Sequence, residues 1–238
     1  MTLFLIGIGL SDEKDISVKG LEIVKKSSKV YLENYTSLLQ ISKEKLEAFY
    51  GKNIILADRE QTENKMQQIL DEARKEEVAL LIVGDVFSAT THITYLMECK
   101  KQNIDVHIIH NASILTAVGE VGLELYKYGK VTSVPFAESN TSHEVIESNR
   151  KNNLHTLVLL DLDPDRKRFV TISEAVQRLK LTENIVGCAR LGADSKIVFG
   201  SPAVLQRVDF GNPPFCLVVP APKLHFVEEE ALEMWKGT

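Results

Sequence analysis

The sequence has little of what stabilises small secreted domains. Its three cysteines, Cys99, Cys188 and Cys216, are isolated, form no CxxC pair and show no cysteine–histidine spacing typical of a zinc site. Residues 1–7 lack the basic segment of a secretory signal. No apolar run approaches the roughly 18 residues that a membrane span needs. We therefore expect a soluble, cytoplasmic protein with no metal site and no membrane association.

An excess of positive charge is also missing. The chain has 28 Lys and Arg against 33 Asp and Glu, which gives a formal net charge of −5. A general nucleic-acid-binding surface needs the opposite balance, so direct nucleic-acid binding is not expected. Local basic patches remain at Lys25 and Lys26 and at residues 166–168.

Short apolar runs alternate with amphipathic stretches along the whole chain. Segments such as 78–83 and 157–160 are almost continuously apolar, as in strands that are covered on both faces. The apolar residues within 66–73 and 172–179 recur at helical spacing. The predicted strands are residues 2–8, 29–32, 53–56, 78–83, 105–109, 130–134, 154–160, 184–189, 196–199 and 215–219.

This alternation predicts α/β units around a largely parallel sheet. A chain of 238 residues can form one large domain or two small ones. A polar break follows the fifth predicted strand at residues 110–113, and a fresh set of strands comes after it. We therefore predict two α/β domains, residues 1–110 and 111–238.

The first strand ends in a glycine turn, Gly7-Ile8-Gly9-Leu10-Ser11-Asp12. Glycines at such a position let the backbone turn tightly and approach a ligand closely. The pattern lacks the third glycine of the dinucleotide fingerprint, and only Glu33 could hold a ribose at the end of the second strand. A nicotinamide-binding oxidoreductase is therefore a weak alternative, and a purely structural turn is about as plausible as a ligand site.

Other polar residues follow predicted strands. In open α/β sheets, ligands bind beyond the carboxyl ends of the strands, which favours a small-molecule site. Helix capping or loop solvation would explain the same residues. These residues are Asp85, Asn111, Ser113, Asp161 and His225. No nucleophile elbow, Walker loop or HExxH motif is present, so the residues alone do not name a reaction.

Several segments, in order, resemble one family. Two of these segments are specific to it. The first is Gly84-Asp85 with Ala89-Thr90-Thr91-His92, and the second is Leu154-His155-Thr156-Leu157. The remaining similar segments are residues 5–22, 31–38, 110–114, 123–129, 160–161, 209–211 and 224–228. Over nearly its whole length the chain resembles the diphthine synthases, which have the tetrapyrrole methylase fold.

The resemblance implies two α/β domains with a cofactor cleft between them and a homodimeric assembly. It implies a methyltransferase that uses S-adenosyl-L-methionine to methylate the amino group of the modified histidine of translation elongation factor 2, in diphthamide biosynthesis. The alternative within the same fold is methylation of a tetrapyrrole, a corrinoid or another small molecule.

By resemblance, the cofactor site involves residues from both predicted domains, several of them through backbone groups. These residues are Leu10, Asp85, Ser88, Ser113, Ile114, Leu160, Leu191 and His225. Where the family usually has a proline after Gly-Asp, this chain has Val86, which predicts a looser loop around Ser88. The segment after Asp163 is shorter than is expected of eukaryotic members.

The implied reaction needs little acid–base help. An α-amine has an unperturbed pKa of roughly 7.7–8.0, so part of it is neutral at cellular pH. We therefore expect no dedicated base, with Asp161 as the candidate if one exists. The basic cluster at residues 166–168 is a candidate docking surface for elongation factor 2. Charge reversal there that left the affinity and its salt dependence unchanged would exclude docking.

Overall fold

The computed structural model describes residues 1–33, 38–57, 62–88, 91–164 and 166–237, with side chains from 66 onward in the third of these ranges. The chain forms two compact units, Met1–Leu115 and Thr116–Thr238. Within the described residues, no helix is long and apolar enough to cross a membrane.

Strands and helices alternate along the described residues of the first unit. Its elements are β1 (Thr2–Gly7), α1 (Val18–Lys26), β2 (Lys29–Glu33), α2 (Lys43–Tyr50), β3 (Ile54–Ala57), α3 (Thr62–Ala73), β4 (Val78–Ile82), α4 (Ile93–Lys101) and β5 (Asp105–Ile109). The short helix α5 (Ile114–Ala117) follows. The five strands form one parallel sheet in the order β3-β2-β4-β1-β5.

Helices cover both faces of this sheet. Leu3 and Leu5 of β1 pack in a cluster with residues of α3 and α4, such as Ile69 and Cys99. The alternate β1 residue Ile6 belongs to a second cluster, which includes residues of α1 and α2. Burial on both faces explains why β4 is apolar at every position.

The chain leaves β1 and β4 in opposite directions. From β1 it runs through α1 to β2, past β4, and from β4 it runs through α4 to β5, past β1. Because such crossovers are right-handed, the two helices lie on opposite faces of the sheet. The carboxyl ends of β1 and β4 are thus a switch point, where open α/β sheets bind ligands.

The second unit begins with two short 3₁₀ turns, Val118–Val121 and Leu125–Lys127. Its further elements are β6 (Thr132–Val134), α6 (Thr141–Lys151), β7 (Thr156–Leu160), β8 (Leu162–Asp163), β9 (Arg168–Phe169), α7 (Ile172–Leu179), β10 (Ile185–Ala189), β11 (Lys196–Gly200), α8 (Pro202–Leu205), β12 (Phe215–Val219) and α9 (Phe226–Met234). Its main sheet has the order β11-β10-β12-β7-β6.

All ten predicted strands are present, and the structure adds the hairpin β8–β9. The expectation of a largely parallel arrangement is confirmed in the first unit and is wrong in the second. There β6 and β7 are parallel, whereas β7, β12, β10 and β11 pair antiparallel. Strands that are buried on both faces read as apolar runs whatever the direction of their neighbours, so composition could not separate the two cases.

Both helical repeats are confirmed. Within 66–73, Ile69, Leu70 and Ala73 are buried, and so are the four apolar residues of α7. Thr171 caps α7, since its side chain accepts a hydrogen bond from the backbone N–H of Glu174. Thr141 has the same spacing to a glutamate, Glu144, but does not cap α6, because Asn140 precedes that helix and Thr141 is already helical.

Candidate functional site

Three strand ends of the first unit come together at the switch point. The backbone continues beyond β1 and β4 as a short antiparallel bridge between Gly9 and Gly84. The Gly84 N–H donates to the Gly9 carbonyl at 2.7 Å, and the Gly9 N–H donates to the Gly84 carbonyl at 3.2 Å. Asn111, after β5, donates through its side-chain amide to the Gly7 carbonyl at 3.0 Å. The site is therefore built largely from backbone groups.

Glycine is required at these positions for two different reasons. A Cβ on Gly7 would lie 2.6 Å from the Gly84 carbonyl oxygen and 3.0 Å from the Cβ of Asn111. Gly9 and Gly84 have φ of 79° and 80°, a backbone region that residues with a Cβ rarely adopt. A Cβ on Gly84 would meet Leu10 and Ser113 at ordinary contact distances of 3.7 and 3.9 Å. Leu10 and Ser113 thus both lie next to Gly84.

Asp15 fixes the loop that follows β1. Its carboxylate accepts hydrogen bonds from the backbone N–H of Leu10 at 3.1 Å and of Ser11 at 2.7 Å. The Asn111 side-chain amide donates to the Asp15 carbonyl at 2.9 Å. Leu10 is therefore held by a residue five positions further along the chain and linked to the end of β5.

Asp85 organises the segments after β4 and β5. One carboxylate oxygen accepts from the N–H of Phe87 at 3.1 Å and from the Ser88 hydroxyl at 3.3 Å. The other oxygen is 2.8 Å from Nδ1 of His110 and accepts from the N–H of Asn111 at 3.1 Å. A carboxylate has about four acceptor positions, so the Asp85 side chain is filled by these partners. Its contact with a ligand would then involve backbone groups.

The charge of Asp85 is stabilised where it lies. Burial alone raises the pKa of this carboxyl, and the hydrogen bonds from Phe87, His110 and Asn111 outweigh that effect, so its pKa lies below the usual value. Asp85 is thus a carboxylate at neutral pH, although its exposed fraction is only 8%.

The loop around Ser88 is anchored by packing as well as by Asp85. Val86, in place of the family's proline, is fully buried in the cluster that covers β4. Ser88 donates its hydroxyl to Asp85. The expected loosening at Val86 is therefore opposed by contacts that a proline's fixed φ would not supply. Residues 89 and 90, which belong to the same motif, lie outside the described residues.

In the second unit the candidates divide between two edges of the main sheet. Leu160 ends β7 and Leu191 follows β10, and the registers bring these carboxyl ends to the same edge. His225 follows β12, whose carboxyl end pairs with Thr156, the first residue of β7, at the opposite edge of the sheet. Leu160 and Leu191 are buried and His225 is exposed.

Asp161 is held by the backbone around it. One of its carboxylate oxygens accepts from the N–H of Phe136 at 3.2 Å, and the other accepts from the N–H of Leu162 at 3.0 Å. These bonds join the end of β7 to the segment after β6. They hold the Asp161 carboxylate in place and use one acceptor position on each oxygen, which leaves about two of its four positions open.

A buried polar network surrounds the start of α9. The Glu228 carboxylate accepts from Nε2 of His155 at 2.7 Å, from the Lys127 ammonium at 2.6 Å and from the N–H groups of Glu124 and His225. Nδ1 of His155 accepts from the N–H of Ala221, so its Nε2 carries the proton. Burial raises the pKa of Glu228, and these hydrogen bonds outweigh it and lower the pKa to about 2.

Comparison with known proteins agrees with this architecture. The model of the Tetrapyrrole (Corrin/Porphyrin) Methylases matches residues 2–203. A relative from Arabidopsis thaliana, whose name includes the words diphthine methyl ester synthase, is 43% identical and covers 98% of both chains. The Homo sapiens diphthine methyl ester synthase is 39% identical over 98% of this chain and 94% of its own. The chain belongs to the diphthine synthases of the tetrapyrrole methylase family.

A solved structure supports the same assignment. The crystal structure of a diphthine synthase superposes with a TM-score of 0.94 at 38% identity and covers 99% of this chain and 96% of its own. The Arabidopsis alignment extends over 272 positions, more than the 238 residues of this chain, so that relative carries insertions. As a member of this family, the chain is a methyltransferase.

The geometry and the family assignment both argue against a nicotinamide-binding site. Glu33 is 2% exposed and lies 3.9 Å from Nε2 of His92, which is equally buried. The helix after the glycine turn begins only at Val18, with Ser17 as its cap. A diphosphate at the turn would therefore lack the adjacent helix N-terminus that the dinucleotide fold supplies.

Five residues of these two clusters were not among the predicted site residues. Asp15 and His110 join the first cluster through Leu10 and Asp85, and Lys127, His155 and Glu228 form the core of the second. Each of the five lies in a segment that resembles the family. No spacing rule connects any of them to its partners in the structure.

Proposed function

We propose that this methyltransferase uses S-adenosyl-L-methionine to methylate the modified histidine of translation elongation factor 2 in diphthamide biosynthesis. The observation that carries the proposal is the glycine-built switch point of the first unit, the place at which open α/β sheets form a ligand crevice. It lies among Leu10, Asp85, Ser88 and Ser113, the residues that the family resemblance assigns to the cofactor. Ile114 adjoins them as the first residue of α5.

The residues present fit this cofactor. Its ribose and amino-acid groups need hydrogen-bond acceptors and donors, and its adenine needs an apolar wall. The second lone pairs of the Gly9 and Gly84 carbonyls and the backbone of Asp85 can supply the polar contacts. The Leu10 side chain can supply the wall. Leu160, Leu191 and His225 of the second unit stay a prediction from the family resemblance.

When bound, the cofactor supplies a methyl group that is already activated by its sulfonium. The protein then has to align an acceptor lone pair with the methyl carbon, opposite the C–S bond, and exclude water. Positioning of this kind can lower a barrier by about 7–11 kcal/mol. The rigid bridge between Gly9 and Gly84 and the loop held by Asp85 suit that task.

The acceptors follow from two sources. The amino group of the modified histidine is the predicted acceptor. The names of the Arabidopsis and human relatives contain the words methyl ester, which supports the proposal that a carboxylate of the same side chain is methylated too. We propose a homodimer in the cytoplasm, and sedimentation velocity at micromolar concentration tests the assembly.

Calorimetric titration with S-adenosylhomocysteine, with NADH as the control ligand, tests the cofactor. We expect micromolar binding of the first and none of the second. The acceptor is tested with elongation factor 2 that carries the unmethylated intermediate, and mass spectrometry counts the methyl groups added. A corrinoid precursor serves as the competing acceptor. Methylation of the corrinoid alone, or binding of NADH alone, would overturn the proposal.

A further inference from the structure

The Asp85 carboxylate holds an exposed imidazole at the carboxyl edge of the first sheet. Nδ1 of His110 lies 2.8 Å from one carboxylate oxygen of Asp85. The side chain of Asp85 is 11% exposed and that of His110 is 68% exposed. A buried anion therefore orients a ring whose other edge meets solvent.

The pairing fixes which ring nitrogen is basic. Asp85 is ionised and can only accept hydrogen bonds, so in the neutral ring Nδ1 carries the proton. Nε2 then carries the lone pair. The described part of the chain places no hydrogen-bond donor on that atom. Asp85 is the one charged group in contact with the ring among those residues, and the Phe87 ring meets it edge-on at 6.1 Å.

His110 also lies within the cluster assigned to the cofactor. It shares its Asp85 oxygen with the N–H of Asn111, and Ser113 is three residues further along. The same carboxylate thus fixes His110 and the segment that leads to Ser113. A base held at this place is close to an acceptor that has to approach the methyl donor.

We propose that His110 is a catalytic residue, the base that removes a proton from the acceptor ammonium before each methyl transfer to nitrogen. This inference rests on the proposed function. The N–H bond of the ammonium breaks and its proton binds Nε2, while Asp85 stabilises the imidazolium. The amine lone pair then forms the N–C bond, and the electron pair of the broken C–S bond stays on the sulfur of S-adenosylhomocysteine. The imidazolium returns its proton to solvent through its exposed edge.

The other candidate base, Asp161, has about two of its four acceptor positions taken by backbone groups. Both carboxylate oxygens of Asp161 accept backbone N–H groups, from Phe136 and Leu162. The neutral fraction of the amine still reacts without His110. His110 therefore accelerates transfer to nitrogen but is not strictly required for it, which qualifies the expectation of no dedicated base.

The discriminating variant is His110→Asn, whose amide nitrogen can replace Nδ1 and keep the hydrogen bond to Asp85. The matched control is His107→Asn on β5, the strand that ends just before His110. There an exposed histidine pairs with Asp105 at 3.1 Å outside the cluster. For both variants, the affinity for S-adenosylhomocysteine and the pH profile of each methyl transfer to elongation factor 2 are measured from pH 6 to 9.

We expect His110→Asn to slow transfer to nitrogen about 6- to 11-fold near pH 7, because an amine with a pKa of roughly 7.7–8.0 is still about one tenth neutral there. The deficit should disappear at pH 9, where more than about 90% of the amine loses its proton unaided. A carboxylate is already ionised, so transfer to oxygen and the affinity for S-adenosylhomocysteine should change less than about two-fold. His107→Asn should match the wild type.

Two results would overturn the inference while leaving the proposed function intact. One is an unchanged pH profile of His110→Asn. The other is an equal loss of transfer to nitrogen and to oxygen together with a matching loss of affinity, which would make His110 part of the cofactor site. A wild-type enzyme that binds S-adenosylhomocysteine but methylates no elongation factor 2 would overturn both proposals.

Discussion

The two units keep their polar clusters in different surroundings. In the first unit the cluster lies where parallel strands end, and it includes an exposed imidazole on a buried carboxylate. In the second unit Glu228, His155 and Lys127 form a cluster in which the glutamate and the histidine are almost completely buried. The first arrangement leaves polar atoms for a ligand, whereas the second satisfies its polar atoms internally.

Sheet direction explains part of this contrast. In a parallel sheet every carboxyl end meets the same edge, so residues that follow β1, β4 and β5 gather there although they are far apart in sequence. In the mixed sheet of the second unit, β7, β12, β10 and β11 run antiparallel, so neighbours among these four strands end at opposite edges. Polar residues that follow its strands are therefore separated, and the buried network instead joins a loop, a strand start and a helix start.

The largest effect is expected where the buried network of the second unit loses its anion. Glu228→Ala leaves the Lys127 ammonium and the His155 ring without their shared acceptor. Breaking a buried pair in this way costs about 3–5 kcal/mol of unfolding free energy. The single tryptophan, Trp235, lies in the second unit and bonds to the Val121 carbonyl, so its fluorescence during urea denaturation reports on this unit.

Glu229→Ala is the matched control, since Glu229 is exposed in the same first turn of α9. It should change the unfolding free energy by less than about 0.5 kcal/mol. Equal stabilities for the two variants would show that the network of the second unit is not a stabilising element, and the contrast between the units would be lost.

A smaller effect is expected from Gly7→Ala in the first unit. The added methyl group would lie 2.6 Å from the Gly84 carbonyl oxygen, so the ends of β1 and β4 have to move apart. Overpacking of this kind costs about 1–3 kcal/mol, and the displaced crevice should bind S-adenosylhomocysteine at least about tenfold more weakly, roughly 1.4 kcal/mol. Circular dichroism and calorimetry measure the two quantities.

Gly51→Ala separates crowding from backbone strain. Gly51 has φ of 67° and no atom within 4 Å of an added Cβ, so the strain costs about 1–2 kcal/mol and the affinity should not change. If Gly51→Ala weakened binding as much as Gly7→Ala did, the crevice at the switch point would not be the binding site.

The smallest effect concerns pH, and it involves one buried histidine in each unit. Burial lowers the pKa of His92 and of His155 below the usual value, while Glu33 and Glu228 respectively oppose that shift. The unfolded chain binds these protons near pH 6.5, so stability is full above that pH and declines as the pH falls towards the folded pKa values. Between pH 7.5 and 5.5 each histidine contributes a loss of at most about 1.4 kcal/mol.

His155→Asn should remove this pH dependence from the tryptophan signal, which reports on the second unit. The exposed His143 on α6 provides the control, and His143→Asn should leave the slope unchanged. A wild-type stability that stays constant from pH 7.5 to 5.5 would contradict the prediction for both histidines.

Much of the fold could be predicted from local pattern. Apolar runs and helical repeats locate the strands and helices, because burial on one or two faces leaves its period in the sequence. Strand direction in the second unit could not be predicted, since it depends on which strands become neighbours. The hairpin β8–β9, only two residues per strand, is too short for a periodic signal.

The candidate site divides in the same way. The sequence alone picks out Gly7, Gly9 and Asp85, because glycine or aspartate directly after a strand predicts a turn or a ligand site there. His110 could be read only as part of a polar break, because its partner Asp85 is 25 residues earlier. Likewise His155 and Glu228 are 73 residues apart, and no periodicity connects residues at such a separation.

The central position of β1 has a consequence for biosynthesis. Leu3 pairs with Val78, and Thr2 pairs with Asp105, on either side of the same strand. The ribosome makes β1 before either neighbour, so an apolar strand leaves the exit tunnel with both edges unpaired. At about 5–20 residues per second, the next hundred residues take about 5 to 20 seconds. Throughout that time β1 exposes unpaired strand edges that can pair with other chains and aggregate. A chaperone that shields β1 during synthesis should therefore raise the yield of folded protein more than one that acts after release.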